Sequence, residues 1–366
     1  MLVAGPITLR MELPDMSCGR VATGIAVGLT GAGGVALGGY ALRNTTYAET
    51  ARRAVDRAGF VEKATLATGK ALHYAEGPTN GPALLLVHGQ MVDWTNYWPA
   101  LPELAKQFHV FAVDCYGHGG SAHARDRYTN LAMGRDLAHF IREVVGQPAF
   151  VSGNSSGGLL AITIAVEAPD LVRGLVLEDP PLFSSLNPRF PTTAGYDLAR
   201  SAHAFLASGE TDFAAWYVRD SSMTKLFGAL GQRMVASALA QRDRGESIRW
   251  WYLPPMINEI YRRLDRYDPE FGESFFTGRW HDGFDHADAL ARLNVPTVLI
   301  HADWQLDPRN GTLLGAMDDQ DAARARSLID GVDFRRLHAL HAVHFAKPHM
   351  FNSVVIEQAK RVRPAL

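Results

Sequence analysis

One run of residues, Val151-Ser152-Gly153-Asn154-Ser155-Ser156-Gly157-Gly158, constrains this chain more than any other. It holds the pattern Gly-x-Ser-x-Gly between a short apolar stretch, Ala149 to Val151, and a segment of helical periodicity from Ser156 to Glu167. A strand that turns abruptly into a helix strains the residue at the corner. The neighbouring positions need glycine wherever the two limbs come too close for a Cβ. Gly153 and Gly157 occupy those positions. Such a corner lifts the Ser155 hydroxyl clear of the sheet, at the positive end of the helix, where developing negative charge is favoured. Ser155 is therefore the candidate nucleophile.

The rest of the chain repeats the strand and helix alternation. Phe60 to Tyr74 reads as a hairpin around Gly69-Lys70. Ala83 to Val87, Val110 to Val113, Ala149 to Val151 and Leu175 to Leu177 are apolar runs too short and too uniform for half-exposed strands, and read as buried parallel strands. Helical patterns run over Trp94 to Lys106, Leu131 to Val145, and Ser156 to Glu167, the last closed by Ala168-Pro169. Thr297 to Ile300 and Asp333 to Leu337 resume the strand pattern after a long helical interruption. The expected fold is α/β, a doubly wound, mostly parallel sheet with an inserted helical cap. Residues 1–58 form an N-terminal arm, 59–181 and 289–366 the sheet core, and 182–288 the cap.

Composition excludes more than it identifies. A formal charge of −2 gives no reason to expect a nucleic-acid partner. Cys18 and Cys115 cannot build a disulfide framework, and neither sits in a metal-ligand spacing, so no metal or cofactor is expected. The uncharged segment 21–42, between Arg20 and Arg43, is long enough to cross a bilayer at about 20 residues. Its many glycines weaken both helix and insertion. Membrane association through this segment and packing on the body of the protein both remain open, and with them a cytoplasmic or an anchored or exported location. The oligomeric state is not legible.

An acyl-transfer site needs two oxyanion donors, one following the nucleophile and one from a loop at the end of a neighbouring strand. His88-Gly89-Gln90-Met91 stands at that second place. Taken in order, Leu85 to Gln90, Asp114 to Ser121, and Gly153 to Gly157 resemble the motif set of the α/β-hydrolase superfamily, in its serine-nucleophile branch. The likeness covers about residues 60–180 and 290–365. It implies that the backbone N–H groups of Gln90 and Ser156 form the oxyanion hole, that Met91 lines the substrate pocket, and that Asp114 braces its loop without doing chemistry. Epoxide hydrolases and haloalkane dehalogenases share the scaffold but carry Asp at the corner, and Ser155 argues against both.

The resemblance also orders the C-terminal histidines. The family's catalytic histidine usually precedes a helix-starting proline by seven positions, and Pro348 stands seven after His341. His341 is thus the expected general base and His344 an expected pocket residue. His338 and His349 have only a surface reading. The triad acid usually follows the strand that here ends near His301-Ala302, but the family's spacing falls on Gln305. Asp303 is preferred, then Asp307, with Asp179 after Leu175 to Glu178 as a third choice.

The cap holds many aromatics, among them Trp216, Tyr217, Trp250, Trp251, Tyr261, Phe271, Phe275 and Trp280. Most must form its own core, and the remainder suit an apolar or aromatic substrate. Arg219, Arg244 and Arg249 are candidate ligands for a substrate carboxylate, or simply solvated charges. Three functions fit: hydrolysis of a small-molecule carboxylic ester through an acyl-enzyme, carbon–carbon hydrolysis or cofactor-free perhydrolysis on the same triad, and a catalytically silent binding protein.

Overall fold

In the computed structural model, which describes residues 31–226 and 228–362, eight strands form one sheet. They are β1 (Val61–Ala67), β2 (Lys70–Glu76), β3 (Ala83–Val87), β4 (His109–Val113), β5 (Ala149–Asn154), β6 (Val172–Glu178), β7 (Thr297–His301) and, after a small hairpin of β8 (Gln305–Leu306) and β9 (Leu313–Leu314), β10 (Asp333–Arg336). Their order is β1-β2-β4-β3-β5-β6-β7-β10. The first two strands and their junction with β4 are antiparallel, and every other pairing is parallel. Thr68 at φ 48° and Gly69 at φ 82° close the β1–β2 hairpin, because two left-handed residues match the twist of the strands they join.

The central strands are apolar on both faces for a geometric reason. Leu85, Val87, Val151, Leu175, Leu177 and Leu299 enter the core on one face, and Leu84, Leu86, Phe150, Val176, Val298 and Ile300 the core on the other. Alternate residues point to opposite sides, and helices cover both. Each fully buried leucine contributes about 1.5–3 kcal/mol of transfer free energy, so a slip of one residue is strongly disfavoured.

Helices α1 (Gly31–Arg57), α2 (Asn130–Phe140) and α3 (Ser156–Glu167) precede a helical stretch between β6 and β7. That stretch includes α4 (Ala194–Ser208), α5 (Phe213–Asp220), α6 (Gly228–Asp243), α7 (Pro255–Arg263) and α8 (Pro269–Phe276). Trp250, Tyr261, Phe271, Phe275 and Trp280 are buried within it, whereas Trp251 is 48% exposed. After β7 come α9 (Asp319–Leu328), α10 (Val343–Ala346) and α11 (Pro348–Arg361). The helix expected over Trp94 to Lys106 is instead two short turns, Trp94–Tyr97 and Leu101–Leu104. Pro99 and Pro102 interrupt the hydrogen-bond ladder there.

Helix α1 is fastened to two parts of the molecule. The Asn44 side chain donates to the Trp251 carbonyl at 3.0 Å, and the Tyr47 ring lies 5.5 Å from that of Phe345. Residues 21–30 of the apolar N-terminal segment lie outside the described residues. Among those described, no helix is long and apolar enough to cross a membrane.

Candidate active site

Strand β5 ends at Asn154 and α3 begins at Ser156, so Ser155 alone makes the corner. Its φ of 55° and ψ of −125° place a residue with a side chain in left-handed backbone. Such strain costs on the order of 1–3 kcal/mol. A Cβ on Gly153 would stand 2.1 Å from the Gly157 carbonyl oxygen, and one on Gly157 would stand 2.3 Å from the Val87 carbonyl oxygen. Backbone cannot yield as a flexible side chain does. Gly157→Val is therefore expected to destabilise the fold by about 3 kcal/mol or more in thermal denaturation; a wild-type melting temperature would refute the close packing.

The loop after β3 lies against the corner. A Cβ on Gly89 would come within 2.9 Å of the Ser155 Cβ. His88 orders this loop from beneath: its Nδ1 donates to the Gly89 carbonyl at 2.7 Å, and its Nε2 accepts the Cys115 N–H at 2.9 Å. A ring nitrogen that accepts an amide proton carries none itself, so His88 is neutral. Burial, which lowers its pKa, acts in the same direction. Among the described residues, no protein acceptor takes up the N–H of Gln90 or of Ser156. Met91, expected in the substrate pocket, turns the chain at φ 63° and is 9% exposed, packed in the core beneath. Asp114 braces the loop, accepting from the N–H groups of Trp94 and Gly120 and pairing with the His73 ring, each at 2.8 Å. Residues of the helical stretch reach the same loop: Arg263 pairs with Asp93 at 3.0 Å, and the Tyr267 hydroxyl donates to the Gln90 side chain at 3.3 Å.

His341 comes to this site with a partner that sequence reasoning ranked third. Its Nδ1 lies 2.7 Å from Asp179 Oδ2. Asp179 is 1% exposed, and its other oxygen accepts the Ala302 N–H at 3.2 Å. The His341 carbonyl accepts from the side chain of Asn154, the neighbour of Ser155, at 3.1 Å. Asp303, the preferred acid, does not reach His341 in the structure. Asp303 turns away to the His338 ring at 3.1 Å and to Arg336 at 3.7 Å, while Asp307 is held by Arg309. The reason lies in the strand order: β6 is beside β5 and its corner, whereas β7, which leads to Asp303 and Asp307, is one strand further out.

His341 keeps 41% of its side chain exposed, with the rest packed against its neighbours. Crowding disfavours its charged form, but the Asp179 hydrogen bond and charge, with the charge of Glu178, outweigh it, so its pKa is raised. A general base must be neutral, so the acid limb of kcat/KM is expected above the ordinary imidazole value of about 6.5. A pH–rate profile checks this, and a limb below that value would contradict it. By linkage, the stability gained from this interaction is complete below about pH 6.5 and is lost as the pH rises through the raised pKa.

His344 does not line a pocket, contrary to expectation. It is fully buried, with its Nδ1 on Glu178 and its Nε2 2.6 Å from Asn96 Oδ1. Nothing in the local pattern Val343-His344-Phe345 betrayed this, although a glutamate closing an apolar strand needs a partner, and that was a usable signal. Arg219 and Arg244 pair with Glu210 and Glu246. A cavity of about 420 Å³ between α9 and β10 is lined by His301, Asp319, Arg326 and Arg336 among others, and by none of Ser155, Asp179 or His341.

Comparison with known proteins agrees with this fold. A family model described as alpha/beta hydrolase fold matches residues 82–315. A 2-hydroxymuconate semialdehyde hydrolase of Pseudomonas sp. (strain CF600) is 29% identical over 236 residues, which is 60% of this chain and 69% of that one. The magnesium-chelatase 30 kDa subunit of Rhodobacter capsulatus is 35% identical over 94 residues, and the match spans only 33% of that protein. Among solved structures, a membrane phospholipase A superposes over 95% of this chain and 100% of that one, with a TM-score of 0.62 at 21% identity. A carboxylesterase of Bacillus subtilis superposes over 85% and 98%, with a TM-score of 0.55 at 19% identity. At such identities the likeness is one of fold.

Proposed function

We propose that this chain, which belongs to the alpha/beta hydrolase fold family, is a hydrolase that cleaves a carboxylic ester with an apolar or aromatic group through an acyl-enzyme on Ser155. The observation that carries the reading is the Asp179–His341 pair at 2.7 Å, tied through Asn154 to the strained corner that bears Ser155. With Nδ1–H given to Asp179, the free Nε2 of His341 is the nitrogen left to take the Ser155 proton. Ser155 Oγ attacks the ester carbonyl, and the oxyanion is held by the N–H groups of Gln90 and Ser156. His341 then protonates the departing alkoxide, and water, activated by the same ring, releases the acid. Asp179 orients His341 and stabilises its imidazolium.

A second reading, carbon–carbon bond hydrolysis on the same residues, is favoured by the relative named 2-hydroxymuconate semialdehyde hydrolase. Acid quench after mixing with p-nitrophenyl esters of increasing acyl length separates the two. Under the ester reading, the peptide that carries Ser155 gains the mass of the acyl group, with a stoichiometric burst of p-nitrophenol. No acylation by any ester, with cleavage of a vinylogous diketone, would install the second reading instead.

A further inference from the structure

We infer that Glu178 and His344 form a second carboxylate–histidine pair, which never meets the substrate and serves to position His341 over the Ser155 corner. The inference rests on the triad reading given above. Glu178, the last residue of β6, immediately precedes Asp179, and His344 follows His341 by three residues. Two adjacent acids thus hold two histidines of one segment, the outer pair partly open and the inner pair fully buried.

The inner pair has no slack. Glu178 Oε1 accepts the His344 backbone N–H at 2.8 Å, and the His344 Nδ1 lies 2.9 and 2.8 Å from the two carboxylate oxygens. The opposite nitrogen meets Asn96, and the Tyr97 ring stacks on the imidazole at 4.1 Å. Tyr97 in turn donates its hydroxyl to the Val87 carbonyl, where the oxyanion loop begins. Through its own carbonyl, Glu178 accepts the Ser155 N–H at 3.0 Å and the Asn154 side chain at 3.3 Å. A single residue is therefore bonded to the nucleophile's corner by its main chain and to the segment carrying the base by its side chain.

A carboxylate buried this deeply is costly unless fully paired, and removing one partner leaves an uncompensated charge. That cost keeps the His341 segment from drifting. A misplacement of about 1 Å at a reacting group costs on the order of 10²-fold in rate. Of the charged and titratable groups, Asp179 and Glu178 act on His341 from the end of β6. The charge of Glu178 adds to that of Asp179 in favouring the imidazolium.

The test is a cycle of Glu178→Gln, His344→Gln and the double variant, each checked by thermal denaturation and by a pH profile of ester hydrolysis. Glu178→Gln is expected to lower kcat about 10- to 100-fold at unchanged KM and to move the acid limb down by about half a unit or more. His344→Gln lowers kcat, because the segment that carries His341 loses its anchor on Glu178. The double variant, with a neutral amide pair at the same place, recovers much of the lost kcat. A folded Glu178→Gln with wild-type kcat and an unmoved limb would overturn the inference. If that variant does not fold, His344→Gln decides by the same criterion for kcat. Failure of the underlying reading is told apart by Ser155→Ala, whose full activity would remove the triad itself.

Discussion

Asparagine in place of Asp179 is expected to lower kcat by about 10⁴-fold with little change in KM, the loss seen when the acid of a serine triad becomes an amide. Asp179 accepts from His341 Nδ1 at 2.7 Å and is itself fixed by the Ala302 N–H. An amide keeps the volume but no longer selects the tautomer with the proton on Nδ1, nor does it stabilise the imidazolium. Asp303→Asn and Asp307→Asn are expected to leave kcat within about twofold, because these carboxylates bond His338, Arg336 and Arg309 and never reach His341. Steady-state kinetics of the three variants discriminate cleanly. A large loss in Asp303→Asn with none in Asp179→Asn would return the acid to the loop after β7.

The second large effect belongs to the nucleophile. Ser155→Ala is expected to remove ester hydrolysis by about 10⁴-fold or more while the melting temperature stays close to that of the wild type. Alanine keeps the Cβ and the strained φ of 55°, so only the hydroxyl is lost. The double variant Ser155→Ala/Asp179→Asn should be no slower than Ser155→Ala alone, since groups that act as one unit do not lose their contributions twice. Additive losses would mean that Asp179 acts outside the triad. Together these variants separate a working hydrolase from a silent scaffold.

The parts of this molecule that were legible in the sequence are those decided by local sterics. The corner at Ser155 needs glycine at 153 because a Cβ there would strike Gly157 across the turn itself, and α3 begins and ends where its residues say it should, at Ser156 and Glu167. The buried strands were legible because apolar residues on both faces have no other use in so short a run. Trp94 to Lys106 was misread as one helix because its apolar spacing drew attention from Pro99 and Pro102. The carboxylate partner of His341 was hidden for a different reason. Asp179, Asp303 and Asp307 each follow a buried strand, and only the order of strands, set by long-range pairing, decides which loop stands beside His341. His344 was misjudged because a pattern of neighbours cannot tell a ring that faces a cleft from one that faces a buried glutamate on another strand.

Placing the carboxylate after β6 relieves another stretch of duty. Among the described residues, nothing in the segment from Asp303 to Leu314 bonds the side chains of Ser155, Asp179 or His341; its contacts include Asp307 with Arg309, β8 with β9, Asp303 with His338 and Leu313 with Thr193. At its tip Gly311, with φ at 72°, has no atom beyond its chain neighbours within 4 Å of where a Cβ would stand, among the described residues. Exposed loop tips of this kind accept insertions. For anyone who wishes to tether this protein to a support or graft a reporter onto it, Gly311 is the handle that leaves the chemistry alone.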